Sequence, residues 1–203
     1  MAFAAKEAQK VESNDLCDVA DAVSKGALKG ARGNSGVILS QLMRGFAKGA
    51  DKKKTLSVDE FIQCLKSGAD MAYKAVMKPR EGTILTVARV IAEDMLKCKG
   101  IADFESLLTQ VIKSGEAILR KTPDMLPVLK QAGVVDAGGK GLLTIYVGYK
   151  MALDGDEIEL DPAFNVAAST DGEIEENDEG IEFGYCTEFF VKNIQGDADE
   201  AAD

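Results

Sequence analysis

The sequence predicts an all-α domain, a bundle of antiparallel amphipathic helices, over its first three quarters. Three observations lead there. Apolar residues make up 46% of the 203 residues, yet aromatics supply only 6% and Trp is absent, so alanine, leucine and valine carry the core. Apolar side chains recur with helical spacing in segment after segment up to residue 150. No stretch before residue 150 alternates as a half-buried strand does. A chain of this length buries a proper core without disulfide or metal staples.

Residues 15–28 and 35–48 are the first clear helical segments. Ser57 then opens a capping box with Glu60, and Val58, Phe61, Ile62, Leu65, Ala69, Ala72 and Val76 follow on one face as far as Pro79. A helix with Ile84, Leu85, Ala88, Ile91, Ala92 and Met95 comes next, and another with Phe104, Leu107, Leu108, Val111, Ile112, Ile118 and Leu119. Thr122-Pro123 reads as an N-cap and N1 pair for one short helix ending at Gly133. A last helix runs from about Gly139 to Leu153. Residues 1–153 form this helical domain. Residues 154–180 are charged and without period, an acidic linker. Within residues 181–203, Phe183 to Val191 alternate as one strand, the start of a domain the chain does not complete, and an acidic tail follows from Gly196.

Composition narrows the function. With no histidine, Ser-His-Asp and Cys-His catalysis and His-ligated metals are excluded within these residues. Cys17, Cys64, Cys98 and Cys186 show no Cys-x-x-Cys spacing, and no signal peptide opens the chain, so they read as reduced thiols of a cytoplasmic protein. A mean hydropathy of −0.06 and the lack of a long apolar run predict no membrane span. The net charge of −10 is unevenly spread: residues 1–150 hold 23 Lys and Arg against 17 Asp and Glu, and the remaining 53 residues hold one against 17. Such an acidic end repels nucleic acid and anionic membrane.

Three glycine-rich turns interrupt the helices. Gly30-Ala-Arg-Gly-Asn-Ser-Gly36 precedes an apolar run; it is either a plain helix turn capped by Asn34 or Ser35, or a phosphate cradle built from helix N–H groups, a hydroxyl and Arg32. It lacks the Gly-Lys-Ser/Thr ending of a P-loop. In Lys78-Pro-Arg-Glu-Gly-Thr83, Thr83 either caps the next helix or faces a phosphate or base. In Gly133-Val-Val-Asp-Ala-Gly-Gly-Lys-Gly141, Asp136 either caps the last helix or accepts from sugar hydroxyls. Alternate loops of an antiparallel bundle lie at one end, so the three turns together can surround a small polyanion.

Gly30 to Gln41, Pro79 to Val87 and Leu126 to Gly141 closely resemble, in order and spacing, the nucleotide-binding domain of the bacterial fatty-acid kinase catalytic subunit, a DhaL-like (DAK2) domain homologous to the ATP-binding subunit of dihydroxyacetone kinase. Phe183-Gly-Tyr-Cys-Thr-Glu-Phe looks like the start of the middle domain that follows in the fatty-acid kinase and favours that branch. The resemblance implies a barrel of antiparallel helices with ATP across one end. Arg32, Gly33, Asn34, Ser35 and Gly36 then lie at the phosphates, Thr83 near the nucleotide, and Asp136, Ala137, Gly138 and Gly139 beside its sugar. It implies transfer of the γ-phosphoryl group to a fatty-acid carboxylate presented by a lipid-binding partner, for phospholipid synthesis, by a full-length parent that is a possible homodimer. The alternatives are glycerone-kinase-type phosphorylation of a small polyol and a catalytically dead nucleotide-binding or interaction module.

The family holds Mg²⁺ with aspartates in a loop ahead of its second helix. Nothing like that loop is present, and Met1-Ala-Phe-Ala-Ala-Lys-Glu-Ala looks like the second helix itself. Asp15, Asp18 and Asp21 read as a solvated helix face, so no metal ligand and no catalytic residue is assigned. The expectation is a domain truncated at its N-terminus, with an apolar groove on the barrel, inactive by itself as a kinase, and with no zinc site at Cys186.

Overall fold

The computed structural model describes residues 1–98 and 100–156. They form helices α1 (Ala2–Gln9), α2 (Leu16–Lys29), α3 (Gly33–Gly49), α4 (Val58–Lys74), α5 (Ile84–Lys97), α6 (Phe104–Leu119), α7 (Thr122–Met125), α8 (Pro127–Ala132) and α9 (Ala137–Asp154), with no strand among the described residues. The all-α expectation holds. The strand expected at 183–191, Cys186 and nearly all of the acidic linker lie outside the described residues.

Local chemistry sets several helix ends. Ser57 Oγ accepts from Glu60 N at 3.3 Å while Glu60 Oε2 accepts from Ser57 N at 2.8 Å, the reciprocal cap read from the sequence. Asp103 Oδ1 accepts from Ser106 N at 2.7 Å to start α6. Gly133 at φ 67° closes α8 and Gly155 at φ 82° closes α9.

Two boundary expectations are corrected. The region from Thr122 to Gly133 is two helices, not one. Pro127 lacks an N–H and forces Leu126 before it into an extended conformation (φ −125°, ψ 106°), which breaks the run. Thr122 is then the first residue of α7 rather than an N-cap, and it is completely buried. Neither Asn34 nor Ser35 caps α3: the helix begins a residue earlier, at Gly33, behind Arg32, and no side chain caps it.

Helix α5 occupies the centre. Ile84, Leu85, Thr86, Val87, Ala88, Ile91, Ala92 and Met95 are all buried, so it is enclosed on nearly every side. It packs against α3, α4, α6 and α9, while α3 packs on α2 and α2 on α1. Leu42, Leu65, Leu107, Val111, Leu142 and Leu143 complete the core around it. Phe46, Phe61 and Phe104 run edge to face along the α3–α4–α6 side, with centroids 5.1 and 5.6 Å apart. Leu16, Val23, Met43, Phe46, Tyr146 and Tyr149 are among the residues lining an apolar cavity of about 350 Å³ between α2, α3, α4, α5 and α9. Asp15 and Asp21 pair with Lys54 and Lys25 at the surface, and Asp18 is exposed. Among the described residues, no helix is long and apolar enough to cross a membrane, and Cys17, Cys64 and Cys98 are free thiols.

Helices α3 and α4 cross with their backbones nearly touching. A Cβ on Gly45 would stand 2.5 Å from Ser67 O, and one on Gly68 would stand 2.8 Å from Leu42 O. Ser67 Oγ donates to Gly45 O at 2.8 Å across the crossing. The obstacle is backbone, which cannot swing away. Gly45→Ala is therefore expected to destabilise by about 1–3 kcal/mol, overpacking outweighing any gain in helix propensity. Gly148, inside α9 with open space around its would-be Cβ, is the control: Gly148→Ala is expected to stabilise by up to about 1 kcal/mol. Urea unfolding of the two variants checks both signs.

The Lys53 ammonium bonds the Glu60 carboxylate, and with the Ser57 amide and hydroxyl it holds the Glu60 pKa down at about 2. A carboxyl depressed in the folded state contributes stability above its unfolded value, near 4.5, and loses it as the pH falls toward 2. Thermal melts between pH 5 and pH 2 are expected to fall less steeply for Glu60→Gln than for the parent chain.

Candidate functional site

Up-and-down connectivity puts the Lys29–Arg32, Ala75–Thr83 and Gly133–Asp136 connections at one end of the bundle, and the opposite end carries the 50–57 loop, where Leu16 N donates to Lys54 O at 2.9 Å. Contacts at the first end are close. A Cβ on Gly138 would lie 3.2 Å from Ile84 Cβ and 3.4 Å from Ser35 Oγ, so the first turns of α9, α5 and α3 meet there. A Cβ on Gly139 would stand 2.7 Å from Val87 Cγ2, which explains a second glycine beside the first. The gathering expected from antiparallel connectivity is present.

At the start of α3, Gly33 sits at φ 60°, a left-handed conformation that favours glycine. Gly33, Asn34 and Ser35 are exposed and Gly36 is half-buried. Arg32 is exposed but folded back: its Nη1 donates to Ala31 O at 2.8 Å and to Lys29 O at 3.4 Å, the carbonyl end of α2. The first-turn amides of α3 thus carry the positive end of a 17-residue helix with no side-chain acceptor on them.

Thr83 occupies the N-cap position of α5 without capping it, because its Oγ1 donates to Arg80 O at 2.8 Å. Here too the helix amides are left without a side-chain acceptor. The turn before it is strongly braced. Gly82, buried at φ 83°, donates its N–H to Thr86 Oγ1 at 2.9 Å. Thr86 Oγ1 donates to Glu81 Oε2 at 2.7 Å, and Arg89 Nη2 donates to the same oxygen at 2.9 Å. Tyr73 OH donates to Glu81 Oε1 and accepts from Arg89 Nε, each at 3.1 Å, while Arg89 Nη1 reaches Glu93 at 3.2 Å. Burial raises the Glu81 pKa, but hydrogen bonds from Thr86, Arg89 and Tyr73 outweigh it and hold the carboxyl below its ordinary range.

Asp136 caps α9: its Oδ2 accepts from Gly139 N at 2.6 Å, and its own N–H donates to Thr122 Oγ1 at 3.1 Å. Ala137 is exposed, Gly138 half-buried and Gly139 buried. Of the three helix starts, α9 alone has its amides answered by a carboxylate.

A second cavity, of about 490 Å³, opens at the meeting point and is lined by Met1, Ser35, Gly36, Leu39, Ile84, Gly138, Gly141, Leu142, Thr144 and Ile145. Ser35, Gly36 and Gly138 of the expected site residues line it. Arg32, Gly33, Asn34, Asp136, Ala137 and Gly139 stand on the turns that carry those three, and Thr83 stands on the turn that carries Ile84. The sequence did not assign Met1, Leu39, Ile84, Gly141, Leu142, Thr144 or Ile145 to the site. The spacing of Gly138, Gly141, Leu142 and Ile145 along one helical face was the available signal. It also missed Thr86, Arg89 and Thr122, which bear on the site only through the turns they brace.

An exposed polar turn, two uncapped helix N-termini and the Ser35 hydroxyl suit a polyanion of phosphate chemistry. A hard divalent cation is not suited. Among the described residues, no group of three or more Asp, Glu, Cys or His is placed to hold a metal. Asp136 is engaged with Gly139 N, and both Glu81 oxygens are taken by hydroxyls and the Arg89 guanidinium.

The DAK2 domain family model matches residues 1–150. Protein YloV of Bacillus subtilis is 46% identical over 200 residues, which cover 95% of this chain and 36% of that protein. An uncharacterised protein of Staphylococcus saprophyticus is 45% identical over 186 residues, 89% of this chain and 34% of its own length. One of Staphylococcus aureus strain MRSA252 is 42% identical over 193 residues, 91% and 35% of the two chains. The chain spans about a third of the length of these relatives. With three glycine-rich turns gathered at one end of an all-α bundle and the family match running through all of them, the chain belongs to the DAK2-domain family, that of the dihydroxyacetone kinase L-subunit.

Proposed function

We propose that this chain is the nucleotide-binding part of an ATP-dependent fatty-acid kinase, with ATP seated at the end of the bundle where α3, α5 and α9 begin. The observation that carries this reading is the meeting of Ser35, Ile84 and Gly138 over a cavity whose rim holds two helix N-termini without side-chain caps. The amides of Gly33 to Gly36 and the Ser35 hydroxyl face the phosphates, Thr83 lies near the nucleotide, and the Asp136 to Gly139 turn lies beside the sugar. Bound ATP supplies a γ-phosphoryl group for a fatty-acid carboxylate that a separate lipid-binding protein presents. The protein's own part is positioning and charge compensation. The motif from Phe183 to Phe189 supports the fatty-acid branch over phosphorylation of a small polyol. The full-length parent is proposed as a cytoplasmic enzyme of phospholipid synthesis, working as a homodimer.

The absence of a carboxylate cluster among the described residues favours a second reading for this chain by itself, a nucleotide-binding module that transfers nothing. Both readings make the same demand on the site. Calorimetric titration with ATP, with and without Mg²⁺, is expected to show weak binding that the metal does not strengthen. Ser35→Glu separates the site from the scaffold. A carboxylate in the first turn of α3 favours the helix, so the melting temperature holds or rises, while ATP affinity falls at least tenfold. Unchanged affinity in that variant would place the nucleotide elsewhere. Marked metal enhancement and phosphoryl transfer by the parent chain would overturn the inactive module.

A further inference from the structure

We propose that Thr122 is a positioning residue for this site, a buried hydroxyl that locks the Glu81–Thr83 turn and the start of α9 into one unit; the proposal rests on the nucleotide reading above. Thr122 is 0% exposed, yet nothing about its packing requires a hydroxyl, since valine has the same shape. The hydroxyl is used twice. It donates to Leu119 O at 2.7 Å, one of the last carbonyls of α6, and accepts from Asp136 N at 3.1 Å. The end of α6 is thereby tied to the residue that caps α9. Asp136 has little freedom left, with its N–H held by Thr122 and its carboxylate holding Gly139 N.

The main chain of Thr122 makes the second connection. Its carbonyl lies 3.0 Å from the place a Cβ on Gly82 would take, with Met125 Cβ at the same distance, so the Gly82 backbone rests directly on α7. Gly82 in turn is held by Thr86 Oγ1, and through it by Glu81 and Arg89. Two of the three site turns therefore share one support, and the third meets them at Ser35, Gly138 and Ile84. Without the hydroxyl, the buried Leu119 C=O and the partly buried Asp136 N–H both lose their partner, and polar groups left unmet away from water are costly. The start of α9 then relaxes away from the turn before α5, and the cavity between them loses its shape.

Thr122→Val removes only the hydroxyl, and Thr122→Ser keeps it. Val111→Ala, in the core of α6 and away from the turns, serves as a stability control. Amide hydrogen exchange and ATP titration of the whole chain are the two readouts. In Thr122→Val, exchange is expected to rise at least tenfold both at Asp136–Gly139 and at Gly82, while α4 is unchanged, and ATP affinity is expected to fall about tenfold. Thr122→Ser should stay within twofold of the parent in both. Val111→Ala should lower the melting temperature and leave affinity within twofold. Faster exchange confined to Asp136, a uniform rise across the chain, no recovery in Thr122→Ser, or parental affinity in Thr122→Val would each overturn the proposal. A parent chain that takes up no ATP would instead overturn the nucleotide reading and with it the positioning role. The exchange pattern would then decide the coupling of the two turns.

Discussion

The burial of α5 is the constraint from which the rest of the molecule follows. Eight of its 14 residues are buried, among them Val87, Ile91 and Ala92 at 0% exposure. A helix apolar over most of its surface must be enclosed, and here α3, α4, α6 and α9 enclose it. Enclosure fixes both of its ends. Its N-terminus becomes the floor of the cavity at Ile84, and the helices on either side deliver their own first turns to the same place. The candidate site is thus a by-product of how the central helix is covered, and the short irregular turns decorate a position that the packing has already chosen.

Glycine serves three physical ends here. At Gly45 and Gly68 it lets two helix backbones approach where a single Cβ would meet carbonyl oxygen. At Gly33 and Gly82 it permits a left-handed backbone, at φ 60° and 83°, needed to swing the chain into a helix start. At Gly138 and Gly139 it lets the first turn of α9 press against Ile84, Ser35 and Val87. Only the second use is conformational. The others are matters of approach distance and are decided by a partner far away in sequence.

Charge at the site is arranged with similar economy. The carboxylates nearest the gathered turns are spent on the scaffold. Glu81 binds two hydroxyls and a guanidinium, and Asp136 neutralises the start of α9. The helix starts left without an acceptor are those of α3 and α5. Free helix amides of this kind are what the proposed phosphate contact would use, with the Asp136 carboxylate turned to its own helix start.

By itself the sequence determined the class of fold, the main helices and the positions of the three turns, because each rests on local rules. The Ser57–Glu60 cap, the left-handed Gly133 and the helical spacing of Val87, Ile91 and Met95 are written in neighbouring residues. The gathering of the turns was legible too, since antiparallel connectivity puts alternate loops at one end. Tertiary structure alone decided which turn residues reach the cavity and what holds them. Thr122 looked like a helix cap and is a buried tie to Asp136; Thr83, read as either a cap or a contact to phosphate or base, donates to Arg80 O; Arg32 lies back on α2. The reason is the same in each case. A hydroxyl or a guanidinium has several acceptors within reach of its own backbone, and the choice among them falls to whichever helix the core packing brings alongside.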